Sequence, residues 1–305
     1  MAPGFFPIPP TFRDKVVRAF GTKSEAWLRE LPQAYGSQSG KGSQSMDRPY
    51  LILQVAASAD GRISIAPNRT MFEDMADPRL TTTMVGADLW REVRESINAA
   101  HPLQADILGS ASLVKEGRTP KPPGSPAPLD RLAGDRGALY QDFLPEEVVG
   151  RAGHEGWLVI VDGRGRVRGG FKGTPDAPGW HALHLVSRAA PPEYLAFLRH
   201  TGIPYLVSGE KRVDLPAAMG KLRSKLGVEN ALSTAGGRLN GALLRAGLVD
   251  EIHIIVAPVV IGGFETPSLF DSPDLRPGEW PTRLTLLKAG ARADGRVWLH
   301  YRVGT

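Results

Sequence analysis

From residue 50 onward the chain alternates short β-branched runs with longer stretches of helical periodicity, and few folds accept that order. Consecutive parallel strands need a crossover of a dozen or more residues, and a helix packed on the sheet is the compact way to provide one. Periodicity predicts strands at Tyr50–Ala57, Ala105–Leu108, Trp157–Val161, Ala182–Ser187, Pro204–Val207, Ala231–Ser233, Glu251–Ala257, Thr282–Ala289 and Val297–Val303. Helices are predicted at Val85–Ala99, Pro192–Thr201, Leu215–Leu226 and Leu239–Ala246. The expected architecture is a three-layer α/β fold, a mainly parallel sheet with helices on both faces. No helix separates the last two strands, so they are expected to close as an antiparallel hairpin through Asp294-Gly295.

Composition sharpens the domain boundaries. About one residue in five of the 305 is Gly or Pro, and much of that excess is local. Residues 36–45 (GSQSGKGSQS) read as a flexible linker behind a helical pattern from Phe12 to Leu31. Residues 1–45 are therefore expected to be an N-terminal helical extension with its linker, and 46–305 the main domain. Pro120, Pro122, Pro123, Pro126 and Pro128 make residues 117–137 an exposed insertion, because proline cannot continue a helix or a central strand. A Gly/Arg-rich connection follows at Asp162 to Gly173.

Several function classes fall away. The chain has no cysteine, which excludes disulfides, thiolate metal centres and thiol nucleophiles. No run approaches the 18 or so apolar residues of a membrane span, and the Pro-broken N-terminus lacks a signal peptide's charged start, so a cytoplasmic protein without a membrane partner is expected. The net charge is +5, but the bases are dispersed. Only Arg164, Arg166, Arg168 and Lys172 cluster, interleaved by glycine rather than aromatics. They read as a solvated connection, with an anionic-ligand patch as the alternative, and nucleic acid is not an expected partner. His181 and His184 lack a third ligand and read as packing residues, so no metal is expected. Gly36 to Gly42 has the outline of a phosphate-binding loop but is one residue short and follows no strand. No Gly-x-Ser-x-Gly elbow is present.

Three turns at predicted strand ends carry the chemistry. Ser233-Thr234-Ala235-Gly236-Gly237 leads from a strand into a helix opening near Leu239, where glycine admits close approach and the helix N-terminus offers N–H groups to an anion. Gly109-Ser110-Ala111-Ser112 repeats the construction after the second strand. Ser58-Ala59-Asp60-Gly61 puts a carboxylate at the end of the first. In open α/β sheets ligands gather at these carboxyl ends.

Together these segments resemble the pyrimidine reductase of riboflavin biosynthesis, which has a dihydrofolate reductase-like fold. The family's "Ser-Leu-Asp-Gly-Lys-Ile" is similar to Ser58–Ile63, its "Leu-Asn-Gly-x-Leu-Leu-x-Ala-Gly-Leu-Val-Asp-Glu" to Leu239–Glu251, and its "Ala-Pro-x-x-x-Gly-Gly" to Ala257–Gly263. The resemblance implies hydride transfer from NADPH to a small heterocycle, a 5-amino-6-(phosphoribosylamino)uracil or its diaminopyrimidine counterpart. It implies that Ser58, Gly109, Ser110 and Ser112 line the cofactor. Gly236 and Gly237 would lie at its phosphates, beside Arg238 and Leu239, and Ser187-Arg188 would grip the 2′-phosphate. Asp60 and Thr234 are the implied substrate-side residues, Asp60 as an orienter or proton relay. Thr234 stands where the family usually has Glu, and the family's acidic, proline-containing phosphate segment is replaced by Lys115, Glu116 and the insertion. A homodimer is also implied. The alternatives are a reductase of another pterin- or pyrimidine-like substrate and a non-catalytic NADPH-binding paralogue.

Overall fold

The computed structural model describes residues 47–117, 136–167 and 179–304. The expectations for 1–45 and for most of the Pro-rich insertion, with Arg168 and Lys172, lie outside the described residues.

Nine strands form one sheet in the order β5-β4-β3-β2-β6-β1-β7-β9-β8. They are β1 (Tyr50–Ser58), β2 (Ala105–Gly109), β3 (Gly156–Val161), β4 (Trp180–Val186), β5 (Tyr205–Val207), β6 (Asn230–Ser233), β7 (Glu251–Ala257), β8 (Leu284–Ala291) and β9 (Val297–Val303). β5 through β7 in that order pair in parallel, and β9 joins β7 and β8 antiparallel. The α/β expectation and its C-terminal hairpin therefore hold. β8 runs two residues further than the periodicity suggests, because the turn through Gly295 closes so tightly that Ala291 still pairs with Val297.

Helix α1 (Ala87–Ala100) buries Leu89, Val93 and Ile97, one residue per turn, against Ile52, Leu232 and Ile255 on one face of the sheet. It starts two residues later than expected because Gly86, at φ +60°, ends the preceding π-helical turn Thr81–Val85. Helix α2 is a single turn, Ser110–Leu113. Helix α3 (Pro192–His200) covers β4 and β5, while α4 (Leu215–Leu226) and α5 (Gly237–Arg245) cover the face opposite α1. α5 begins at Gly237, two residues before the predicted start, with Gly236 as its N-cap.

The order of connections places the crevice. From β2 the chain moves outward to β3, whereas from β6, its neighbour, it crosses β1 to reach β7. Loops leaving β2 and β6 therefore diverge, and the gap between them is a topological switch point.

Candidate active site

The candidate site residues from the sequence sit at or just beyond the carboxyl ends of parallel strands. Gly109 ends β2, and Thr234 to Gly237 follow β6, directly across the switch point. Asp60 follows β1, and Ser187-Arg188 follow β4. β4 lies three strands from β6, roughly 14 Å at the usual spacing, so these groups form an extended trough rather than one focus.

The glycines divide into two kinds. A Cβ on Gly237 would lie 2.0 Å from the Ser268 carbonyl oxygen and 2.8 Å from Asp271 Oδ2, so this glycine is required by the fold itself. Gly236 is different: its nearest neighbour would be Ile63 Cδ1 at 3.9 Å, and its φ of −74° suits any residue. Gly109 likewise has φ −87°, and a Cβ there would make only ordinary contact with Leu239 at 3.7 Å. Protein packing demands glycine at neither position, so the two flank room for something else. α5 has no side-chain N-cap, which leaves its first N–H groups facing that room. The Ser110 and Ser112 hydroxyls, partly exposed, have no hydrogen-bond partner among the described residues. A phosphate-bearing cofactor fits this donor set.

The turn after β6 is held from below. Buried Ser233 donates to Asn240 Oδ1 at 3.0 Å, and the Asn240 amide donates to the Ala235 carbonyl at 2.8 Å. Thr234 donates from Oγ1 to Asp106 Oδ1 at 2.9 Å, and Asp106 Oδ2 accepts from Arg94 at 2.8 Å. Neither Asn240 nor Asp106 was among the site residues expected from the sequence. A carboxylate inside the apolar run Ala105-Asp106-Ile107-Leu108 was nevertheless a signal, because buried charges are rarely left unpaired.

Asp60 is committed to a loop. Its carboxylate accepts from Ser58 Oγ at 2.6 Å and from the Ile261 and Gly262 N–H groups at 3.0 and 2.7 Å. The Ser58 hydrogen bond, then these two N–H groups, hold its carboxyl down at about 2. Asp60 is thus ionised at neutral pH and ties the Ile261-Gly262 backbone to the end of β1. Ser58 is buried and spent on this anchor. Ser187 is buried too, and its hydroxyl holds the Gly163 carbonyl at 2.7 Å rather than facing the trough. Arg188 is exposed beside a cavity of about 490 Å³ that includes Ser208, Gly209 and Lys221, and its partner is Glu210 at 3.3 Å.

Of the two described arginines of the Gly/Arg-rich connection, Arg164 is exposed as expected and Arg166 is not. Arg166 is only 7% exposed and donates to the Val114 carbonyl at 3.0 Å, and Val167 packs beside Ile160. Asp162, fully buried, accepts from the Val167 N–H at 2.7 Å and ties this loop to β3. Arg164 lies 3.8 Å from Glu116, which also receives Arg238 at 2.5 Å, so cations gather near the start of α5.

At the opposite edge of the sheet, Glu251, His253 and His300 bring ligand atoms within 4.8 Å of one another. Hydrogen bonding accounts for them. Trp298 Nε1–H donates to His253 Nδ1 at 3.2 Å, which puts the neutral ring's proton on Nε2, while Glu251 receives Tyr50 and pairs with His300, each at 2.9 Å. Burial, with the nearby His300, pushes His253 down to about 3.

A glycine-flanked crevice at the switch point of a parallel sheet is the architecture of the dinucleotide-using α/β reductases. Comparison makes the class particular: the chain belongs to the RibD C-terminal domain family, whose model matches residues 49–298. It is 36% identical over 225 residues to a 2,5-diamino-6-ribosylamino-4(3H)-pyrimidinone 5′-phosphate reductase of Methanothermobacter thermautotrophicus, covering 73% of this chain and 84% of the relative. A reductase of the same name from Archaeoglobus fulgidus is 36% identical over 235 residues, covering 73% and 87%. Among solved structures, a pyrimidine reductase-like protein from Corynebacterium diphtheriae shares the fold with a TM-score of 0.54 at 18% identity, over 84% of this chain and 92% of that one. The chain is thus an oxidoreductase of the riboflavin-pathway pyrimidine reductases, a family that uses a nicotinamide cofactor. Among the described residues no helix is long and apolar enough to cross a membrane.

Proposed function

We propose that this protein uses NADPH to reduce the ribosylamino group of a pyrimidine 5′-phosphate to the ribitylamino group. The observation that carries the reading is the pair of sterically unneeded glycines, Gly109 and Gly236, facing each other across the β2/β6 switch point. A bound nicotinamide would supply the hydride. The protein's share is to bind and orient. Gly109, Ser110, Ser112, Gly236 and the first N–H groups of α5 would take the cofactor, with Gly237, Arg238 and Leu239 shaping that end. Arg188, exposed and paired with the surface carboxylate of Glu210, would meet the 2′-phosphate and favour NADPH over NADH. Asp60 would hold the Gly262-Gly263 turn over the acceptor, and Thr234 would touch the heterocycle. The test is NADPH oxidation, followed by absorbance, with the diaminopyrimidinone ribosylamino phosphate. Cofactor binding without turnover would leave a non-catalytic binding protein, and no NADPH binding would refute the reading.

We also infer a homodimer. β8 ends the sheet with Leu284, Leu286 and Leu287 exposed, near the even more exposed Trp280 in sequence, an apolar strip that a second copy would cover. A monomer in light scattering at micromolar concentration would remove this inference.

A further inference from the structure

We infer that Glu116 is an internal stand-in for a phosphoryl group: it clasps Arg164 and Arg238 beside the β2/β6 crevice and yields them to the phosphate of a bound ligand. The inference rests on reading that crevice as the ligand site. Glu116 lies just beyond α2, on the chain leaving β2, and Arg238 is the second residue of α5, on the chain leaving β6. These two chains diverge at the switch point, so an ion pair between them bridges the gap. One Glu116 oxygen receives Arg238 at 2.5 Å, and the other lies 3.8 Å from Arg164. The guanidinium fork matches carboxylate and phosphate alike. A carboxylate shared by two arginines from different loops therefore marks a place where a phosphoryl group would fit.

Arg166 adds a third cation. It is 7% exposed, donates to the Val114 carbonyl two residues before Glu116, and its Nε has no hydrogen-bond partner among the described residues. Arg166 feels two acids, Glu116 and the fully buried Asp162, and two further cations, Arg164 and Arg238. Three cations against two anions leave a positive surplus that a multiply charged phosphoryl group would answer. The Glu116 side chain is also free to leave. It is 49% exposed, and Arg164 and Arg238 are more so, which makes each contact weak against solvent screening. The main chain at this point is held without it: Asn68 Oδ1 accepts from the Glu116 N–H at 2.8 Å, and the adjacent Lys115 pairs with Glu73 at 2.6 Å. Releasing the carboxylate leaves that segment in place.

The experiment titrates inorganic pyrophosphate, then NADPH and NADH, into the full chain by calorimetry at low and high salt. The proteins compared are wild type, Glu116→Gln, Arg238→Gln and the double variant. Glutamine keeps the shape and removes the competing charge, so Glu116→Gln should tighten pyrophosphate by about two- to fivefold, a gain that fades at high salt. Arg238→Gln should weaken pyrophosphate roughly tenfold or more, and in its background Glu116→Gln should gain less. If a dinucleotide supplies the phosphoryl group, Arg238→Gln weakens NADPH and NADH equally. If the pyrimidine supplies it, the same variant raises KM for the ribosylamino 5′-phosphate and leaves both dinucleotides unchanged. Should Arg238→Gln fail to fold, Arg164→Gln makes the same test from another loop. Unchanged or weaker pyrophosphate affinity in Glu116→Gln, or arginine variants that move none of these quantities, overturns the inference and leaves the reductase reading intact. A wild type that shows the pyrophosphate pattern but binds no NADPH overturns the reductase reading alone.

Discussion

Gly236 and Gly237 are adjacent, chemically identical and expected to respond to alanine in opposite ways. At Gly237 the new methyl would sit 2.0 Å from the Ser268 carbonyl oxygen. That oxygen cannot swing aside cheaply, because the segment around it is tied at both ends: Asp271 N–H donates to the Gly237 carbonyl at 3.0 Å, and Ile63 N–H donates to the Pro267 carbonyl at 3.0 Å. Forcing a methyl into packed structure costs about 1–3 kcal/mol, and a clash with tethered backbone belongs at the upper end. At Gly236 the methyl has open space, with only Ile63 Cδ1 at 3.9 Å. Alanine there trades a gain of about 0.4–1 kcal/mol in unfolded-state entropy against a loss of similar size as a poorer N-cap. Gly236→Ala should therefore unfold within about 1 kcal/mol of wild type yet lose at least tenfold in NADPH affinity, about 1.4 kcal/mol, by filling the approach to the helix N-terminus. Gly237→Ala should be less stable by about 3 kcal/mol. Urea unfolding followed by tryptophan fluorescence measures the first quantity, and NADPH titration the second. Equal destabilisation by the two substitutions, or unchanged NADPH affinity in Gly236→Ala, would refute the division of roles.

Three further outcomes follow from the same structure. Arg188→Ala should weaken NADPH by about 1.5–3 kcal/mol, the range of a charge-assisted hydrogen bond, and leave NADH almost untouched; equal losses in titrations of both would reject the contact. Asp60, held at about 2, should contribute no inflection to the rate profile between pH 5 and 9, whereas Asp60→Asn should raise KM by loosening the turn it anchors; a Asp60-dependent inflection near neutrality would restore a proton-transfer role. His184 and His253 are buried neutral, pushed down to about 4 and about 3 by desolvation, and a histidine in the unfolded chain takes its proton near 6.5. The unfolded state therefore binds more protons below that pH, and the fold loses about 1.4 kcal/mol per pH unit for each as pH falls from about 6.5 toward their folded values. Urea midpoints at pH 7.5, 6 and 5 check this, and His184→Gln should flatten the dependence; a slope unchanged in that variant would contradict the assignment.

Much of the site was legible because it depends on local chemistry. Turns that need glycine, strands that alternate and helices that start after small residues announce themselves within a few positions, so the strand ends at Ser58, Gly109 and Ser233 were found from sequence. Side chains committed across the sheet were not. Ser187 was read as a ligand contact, but its hydroxyl holds the Gly163 carbonyl, 24 residues earlier. Arg166 looked solvated and is buried, because the loop after β3 folds back against Val114 and Ile160.

The alternation of strands and helices, by itself, determined a parallel α/β sheet with an antiparallel end, since the chain has no other economical way to bury that pattern. It also determined that glycine turns would line the carboxyl edge. Tertiary structure alone decided which of those glycines serve the fold and which leave room for a ligand. The reason is distance in sequence: Gly237 is answered by Ser268, and Thr234 by Asp106, 128 residues earlier. No local pattern encodes which carbonyl will press on a glycine or which carboxylate will claim a hydroxyl's proton. Those pairings exist only once the strands have been laid side by side.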